Sequence, residues 1–220
     1  MDDFELDWER ERRTGIAEAV LCSGKSPEQL KSILTTANKR KVSLLLTRLA
    51  SSEMKQCMTG FNNLRTHGES GTAILDNGLP EPVDTDYLIV TAGSSDMPVA
   101  MEAQQTLLYY GLSVRIVADC GVAGLWRLTD KLEILGKAPV IIAVAGMEGA
   151  LFSVLAGLVP GLLIAVPSSN GYGVAEGGKA ALSSALASCA PGVVSVNIDN
   201  GFGAACALLK MRRAVFDAPM

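Results

Sequence analysis

From Asp86 to the C-terminus, short apolar runs rich in β-branched residues alternate with longer stretches that suit helices. This alternation marks parallel βαβ units, because two parallel neighbours must be joined by a crossover of helical length. Five runs are predicted as strands: Tyr87–Thr91, Val114–Val117, Val140–Val144, Leu162–Val166 and Val193–Asn197. Their nearly continuous apolar character fits strands covered on both faces. Helices are predicted at about Pro98–Tyr110, Val122–Leu135, Glu148–Leu158 and Ala175–Cys189, with a last one over Gly203–Arg213. The expected fold class is α/β, with a doubly wound parallel sheet of five strands occupying residues 83–220.

Residues 1–82 read as a smaller N-terminal α/β region. A charged helix is predicted at about Glu5–Arg13 and a strand at Ala17–Leu21. Ser26-Pro27-Glu28-Gln29 is a capping box with proline at the first helical position. Leu30, Ile33, Leu34 and Ala37 give the helix that follows one apolar face. Val42–Thr47 reads as a further strand, and Leu79-Pro80-Glu81-Pro82 as the linker. With 49% hydrophobic and 19% charged residues the chain can bury a real core, which excludes a disordered or fibrous protein. Cys22, Cys57, Cys120, Cys189 and Cys206 are odd in number and lack C-x-x-C spacing, so neither a disulfide framework nor a zinc site is expected. The charged N-terminus and the interrupted apolar runs point to a cytoplasmic protein without membrane contact. A net charge of −4 offers no footprint for nucleic acid.

In doubly wound sheets ligands bind beyond the carboxyl ends of the strands, and here the segments in that position are unusually rich in small residues. They are Ala92-Gly93-Ser94-Ser95-Asp96, Ala145-Gly146-Met147-Glu148-Gly149, Pro167-Ser168-Ser169-Asn170-Gly171-Tyr172-Gly173 and Ile198-Asp199-Asn200-Gly201-Phe202-Gly203. Gly93, Ser94, Ser95 and Asp96 suit either an anion on backbone amides or a plain helix cap. Gly171, Gly173, Gly177 and Gly178 suit close backbone approach to a ligand or a flexible connection. The dinucleotide fingerprint G-x-G-x-x-G is missing after the first strand, which argues against a standard NAD site. Glu148 has two readings, a general acid/base or a carboxylate favoured by a helix dipole. Cys189 likewise reads as a nucleophile or a small buried hydrophobe; His67, the single histidine, lies outside the regular part, which gives Cys–His catalysis poor support and makes a carboxylate the expected base.

Taken together, these segments and Asp119-Cys120-Gly121-Val122-Ala123-Gly124, with Cys189-Ala190-Pro191-Gly192 leading into Asn197-Ile198-Asp199-Asn200-Gly201-Phe202-Gly203, resemble the LarB family. That family contains the carboxylase/hydrolase that begins nickel-pincer cofactor synthesis, and its second half resembles the purine-pathway enzyme PurE. Arg10-Glu11-Arg12-Arg13-Thr14-Gly15 and Gly24-Lys25-Ser26-Pro27-Glu28-Gln29 are similar to the family's opening segments. The resemblance implies a flavodoxin/PurE-like sheet and a reaction of nicotinic acid adenine dinucleotide with CO2 and water. Its products are pyridinium-3,5-biscarboxylic acid mononucleotide and AMP. It places the nucleophilic cysteine at Cys189 and the acid/base glutamate at Glu148. The implied substrate-binding residues are Gly93, Ser94, Ser95, Asp96, Asp119, Arg127, Gly146, Met147, Ser168, Gly171, Tyr172, Gly173, Asp199 and Asn200. No tightly bound cofactor and no metal site are implied, a need for Mg²⁺ stays open, and a homo-oligomer built from dimers is expected.

Two positions depart from the pattern. The family's Gly-x-Pro-Glu stands here as Gly15-Ile16-Ala17-Glu18, and Trp126-Arg127 replaces an expected His-Arg. The corresponding PurE segment carries the general-acid histidine, so the change speaks against the alternative of a PurE-like mutase on an aminoimidazole ribonucleotide. It equally raises the alternative of a non-catalytic nucleotide-binding relative, with Trp126 stacking on a ring or packing in the core.

Overall fold

The Ser26 side chain accepts the Gln29 amide and Gln29 returns a bond to the Ser26 amide, so the capping box starts a helix as its residues dictate. The structure is a computed structural model and describes residues 4–50 and 59–216; Cys57 lies outside the described residues. Two units emerge, one built on residues up to Glu81 with Tyr109–Gly111, the other on the remainder.

In the first unit, helices α1 (Arg10–Thr14) and α2 (Pro27–Lys39) accompany strands β1 (Ala19–Leu21), β2 (Leu44–Thr47), β3 (Leu64–His67) and β4 (Thr72–Leu75). The strand order is β1-β2-β4-β3, with β1 parallel to β2 and the other pairs antiparallel. The apolar face of α2, Leu30, Ile33, Leu34 and Ala37, is buried with Val20, Leu44, Leu46, Ala73 and Leu75. The charged N-terminal stretch yields a shorter helix than predicted: α1 begins at Arg10 instead of Glu5, and left-handed Gly15 caps its C-terminal end. The β3–β4 hairpin was not predicted; its strands are four residues each and join through Gly68-Glu69-Ser70-Gly71.

The second unit holds β5 (Val83–Thr91), β6 (Leu112–Val117), β7 (Val140–Ala145), β8 (Leu162–Pro167) and β9 (Val193–Ser195), all parallel, in the order β6-β5-β7-β8-β9. All five predicted strands are present. In this doubly wound order the first strand is interior, so the connections leaving β5 and β7 diverge to opposite faces and open a crevice between them. Helices α3 (Met97–Tyr109) and α8 (Gly201–Phe216) cover one face, α4 (Trp126–Thr129), α5 (Leu132–Leu135), α6 (Ala150–Ala156) and α7 (Lys179–Leu186) the other. Alternate strand residues feed two cores. Leu88, Val90, Ile141 and Ala143 pack with Leu128, Phe152 and Leu155, whereas Ile89, Ile142 and Val144 pack with Ala103, Leu107 and Leu208.

Three predicted helices start late or break, each for a local reason. Gly149 is left-handed, so α6 begins at Ala150 and Glu148 stands in a turn before it. Gly177 and Gly178 are left-handed too, which delays the helix predicted from Ala175 to Lys179. The stretch Val122–Leu135 resolves into a 3₁₀ turn and two four-residue helices instead of one helix. Among the described residues no helix is long and apolar enough to cross a membrane.

Candidate active site

The loops leaving β5, β7 and β8 meet at the carboxyl ends of the strands, and a buried carboxylate holds them there. Asp96 Oδ2 accepts the Gly93 amide at 2.9 Å, while Oδ1 accepts the Ser168 hydroxyl at 2.6 Å and the Asn170 amide at 3.3 Å. Asn170 also donates to the Ser95 carbonyl, and its own carbonyl accepts the Met147 amide at 2.9 Å. Gly146 is required at this crossing, since a Cβ there would stand 2.0 Å from the Asn170 oxygen. Three loops of different sequence origin are thereby tied through Asp96, Ser168 and Asn170.

They enclose an open cavity of about 330 Å³ lined by Gly93, Ser95, Asp96, Gly121–Ala123, Gly146–Glu148, Leu151 and Asn170 together with Ala92, Ala145 and Ala150. Most of its lining is small or apolar, and its polar side chains are Ser95, Asp96, Glu148 and Asn170. Of the residues predicted to act here, Gly93, Ser95, Asp96, Gly146, Met147 and Glu148 line this cavity. Ser168 lies behind it, fully buried on Asp96. Ser94 begins the 3₁₀ turn that carries Asp96. Gly171, Tyr172 and Gly173 follow β8 on the same side of the sheet without lining the cavity, and Tyr172 is exposed. Asp119 and Arg127 pair at 2.9 Å on the loop after β6. Asp199 accepts the Ser169 amide, and Asn200 caps α8 by accepting the Gly203 amide.

The backbone is strained where it leaves the strands. Asp119, Met147 and Asp199 all have positive φ, of 55°, 50° and 54°, and each follows a different strand of the sheet. Aspartate tolerates this conformation, but Met147 gains nothing locally from it, and such strain persists only where surrounding contacts impose it. Here the bond from the Met147 amide to Asn170 imposes it and leaves Glu148 next in line, exposed beside the cavity.

Cys189 is elsewhere. It lies in the segment before β9, and Gly192 in that segment accepts the Leu163 amide near the amino end of β8. Leu163 pairs with Ile141, four strand residues from Ala145, where the loop carrying Glu148 begins. The two residues assigned to one reaction are thus at opposite ends of the sheet within one chain. Of the four described cysteines only Cys189 is exposed. Burial pushes the Cys120 thiol up despite the Lys131 ammonium 3.5 Å from its sulfur, and pushes Cys206 up to about 12. Among the described residues no group of His, Cys, Asp and Glu side chains is arranged to hold a metal ion.

Two polar residues that tie elements of this unit together carried no sequence signal. Asn170 sits in a quoted loop but reveals its bridging role only through the fold. Glu102, on α3, is buried, and its Oε2 accepts the Phe202 amide at 3.1 Å in the first turn of α8. Trp126 is 64% exposed, with the Arg127 guanidinium 5.6 Å from its ring centroid, so it packs in no core within the chain.

Two family models match in tandem: the LarB/PurE-like N-terminal domain over residues 1–77 and AIR carboxylase over residues 87–215. The chain belongs to the LarB family. An uncharacterized protein of Methanocaldococcus jannaschii is 37% identical over 210 residues, covering 91% of this LarB-family chain and 80% of the relative. Two crystal structures of Treponema denticola PurE proteins also match. One, a variant, shares 23% identity at a TM-score of 0.45 and covers 63% of this chain and 83% of the other. The second shares 22% at 0.41 and covers 60% and 81%. The five-stranded parallel sheet is thus that of an AIR carboxylase domain.

Proposed function

We propose that this LarB-family chain carboxylates and hydrolyses nicotinic acid adenine dinucleotide. The observation that carries the reading is the cavity at the crevice of the sheet, whose lining combines the apolar side chains of Val122, Ala123 and Leu151 with one exposed carboxylate, Glu148. An aromatic cation fits such an apolar lining, and a carboxylate beside it can accept a ring proton.

A pyridinium ring is too electron-poor to attack CO2. Addition of the Cys189 thiolate at C4 makes it a neutral dihydropyridine whose C5 is an enamine carbon. The C5 electron pair forms the new bond to the carbon of CO2, and Glu148 takes the C5 proton. The returning electron pair expels the thiolate, which restores the aromatic pyridinium and frees Cys189. Water then cleaves the phosphoanhydride to release AMP. The alternative of a PurE-like mutase is disfavoured by Trp126 at the position where the general-acid histidine is expected.

The test is incubation of the protein with the nicotinate dinucleotide and ¹³C-bicarbonate, followed by mass spectrometry. A labelled dicarboxylated mononucleotide with equimolar AMP is expected. Turnover of aminoimidazole ribonucleotide instead, or no label in any nucleotide, would overturn the reading. Cys189→Ser should abolish labelling with dinucleotide binding retained. Glu148→Gln should slow it by about 10²–10⁴.

A further inference from the structure

A larger cavity, of about 450 Å³, lies wholly within the first unit: every residue that lines it belongs to the chain up to Glu81 or to Tyr109–Gly111. Three aromatic side chains take part, Trp8, Tyr109 and Tyr110. The two tyrosines stand edge to face with ring centroids 5.0 Å apart. Each hydroxyl is tied to the backbone of the wall. Tyr109 donates to the Ser43 carbonyl at 2.9 Å, and Tyr110 accepts the Ala17 amide at 2.8 Å. Asn77 closes the same wall, its amide donating to the Ser43 hydroxyl and its side chain to the Val42 carbonyl, both at 2.9 Å. Left-handed Gly111 lets the chain turn after Tyr110 against Pro80, because a Cβ there would stand 2.9 Å from the Pro80 Cγ. The neutral polar side chains thus hold the walls, so the cavity has its shape before any ligand arrives.

The remaining polar groups are mostly carboxylates. Asp7 is matched by Arg13 at 2.6 Å and Arg10 at 3.5 Å. Glu18 accepts the Asp7 amide, and neither Glu18 nor Glu11 forms an ion pair among the described residues. Lys41 is the one cation in the lining, which leaves negative charge in excess. Burial pushes the Tyr109 phenol up, and the nearby Glu11 carboxylate adds to the push, so the ring stays neutral beside the acid. Aromatic faces and carboxylates share one preference, since both attract a positive charge. Trp8 already holds the Arg40 guanidinium 4.9 Å from its ring centroid. A phosphate-bearing ligand has the wrong sign for such a lining.

We infer that the first unit binds a small organic cation in this cavity. Its ammonium head lies among Glu11, Glu18 and the three rings, and its apolar body against Leu6, Leu44 and Leu79. The volume falls in the range of small-molecule sites, about 300–1,000 Å³. This binding is independent of the reaction proposed for the second unit.

The test is titration calorimetry of the full chain with choline, benzyltrimethylammonium and 3,3-dimethylbutan-1-ol, the last having the shape of choline without its charge. Saturable binding of an ammonium is expected, with the neutral alcohol about 2–30-fold weaker than choline. Glu11→Lys, at an exposed position, should abolish ammonium binding while the circular dichroism spectrum is kept. Glu148→Gln should bind the ammonium as wild type does. The chain has two tryptophans, so in Trp126→Phe the emission of Trp8 alone should follow the same titration curve. No saturable binding of either ammonium, equal affinity for choline and the alcohol, or binding that survives Glu11→Lys would overturn the site. Loss in Glu148→Gln with retention in Glu11→Lys would place the cation in the second unit and overturn it equally.

Discussion

Asp96 is where the three loops of the site are joined, and its removal has a calculable cost. Asp96→Ala deletes the acceptor for the Gly93 amide and for the Ser168 hydroxyl, the latter in a residue with no exposed surface. Each orphaned donor costs roughly 1–3 kcal/mol, giving about 2–6 kcal/mol together. For a chain of this length each kcal/mol lowers Tm by about 2–4 °C, so a fall of roughly 4–24 °C is expected by circular dichroism. Asp96→Asn, which keeps the shape but only one acceptor oxygen, should fall between. The decisive comparison adds Ser168→Ala. With the hydroxyl gone there is one orphan fewer, so the double variant should cost about 1–2 kcal/mol less than the sum of the singles in urea unfolding. Additive costs, or an Asp96→Ala protein that melts within about 2 °C of wild type, would refute the account of Asp96 as the tie between loops.

Gly146→Ala should cost about 1–3 kcal/mol of stability and weaken nucleotide binding in calorimetry, because its Cβ would meet the Asn170 carbonyl. With iodoacetamide in a Cys57→Ser background, Cys189 should be the first thiol alkylated, since Cys22 and Cys120 are buried and Cys206 is held protonated; peptide mapping reads the order. Burial, with the charge of Arg65, lowers the His67 pKa below 6.5, so the folded state favours the neutral ring. The unfolded chain then binds the extra proton first, and stability should be full above about pH 6.5 and decline as pH falls toward the lowered value. His67→Gln should flatten that slope in urea midpoints measured across the range.

The parallel sheet was legible because its strands are almost uninterrupted apolar runs, and Val140–Ala145 is buried at every position. Helix starts were harder to read wherever glycine sets the backbone: Gly149, Gly177 and Gly178 are left-handed and hold back α6 and α7, yet by composition they look like helix-compatible small residues. The hairpin of Leu64–His67 and Thr72–Leu75 was missed because four-residue strands give too few alternations to register. Gly93, Ser95, Asp96, Gly146, Met147 and Glu148 were found as neighbours of one cavity because strand ends in a doubly wound sheet share one side. The separation of Cys189 from Glu148 follows from the same rule read the other way: one precedes a strand and the other follows one. Asn170 and Glu102 act through bonds to residues 74 and 100 positions away in sequence, a relation no local pattern encodes.

The interior place of β5 also bears on how the chain is made. Emerging first in its unit, β5 can pair with β6 once residue 117 is available, but its other edge stays open until Val140–Ala145 has been synthesised. During that interval a nascent chain carries a strand with one open edge and an apolar run, Tyr87–Val90, the kind of surface that recruits chaperones or aggregates. Closure of the sheet, with the loops around Asp96, must wait for β8 and Ser168. The site is therefore among the last parts to assemble, so ribosome-bound chains that end before about residue 140 would be the aggregation-prone ones.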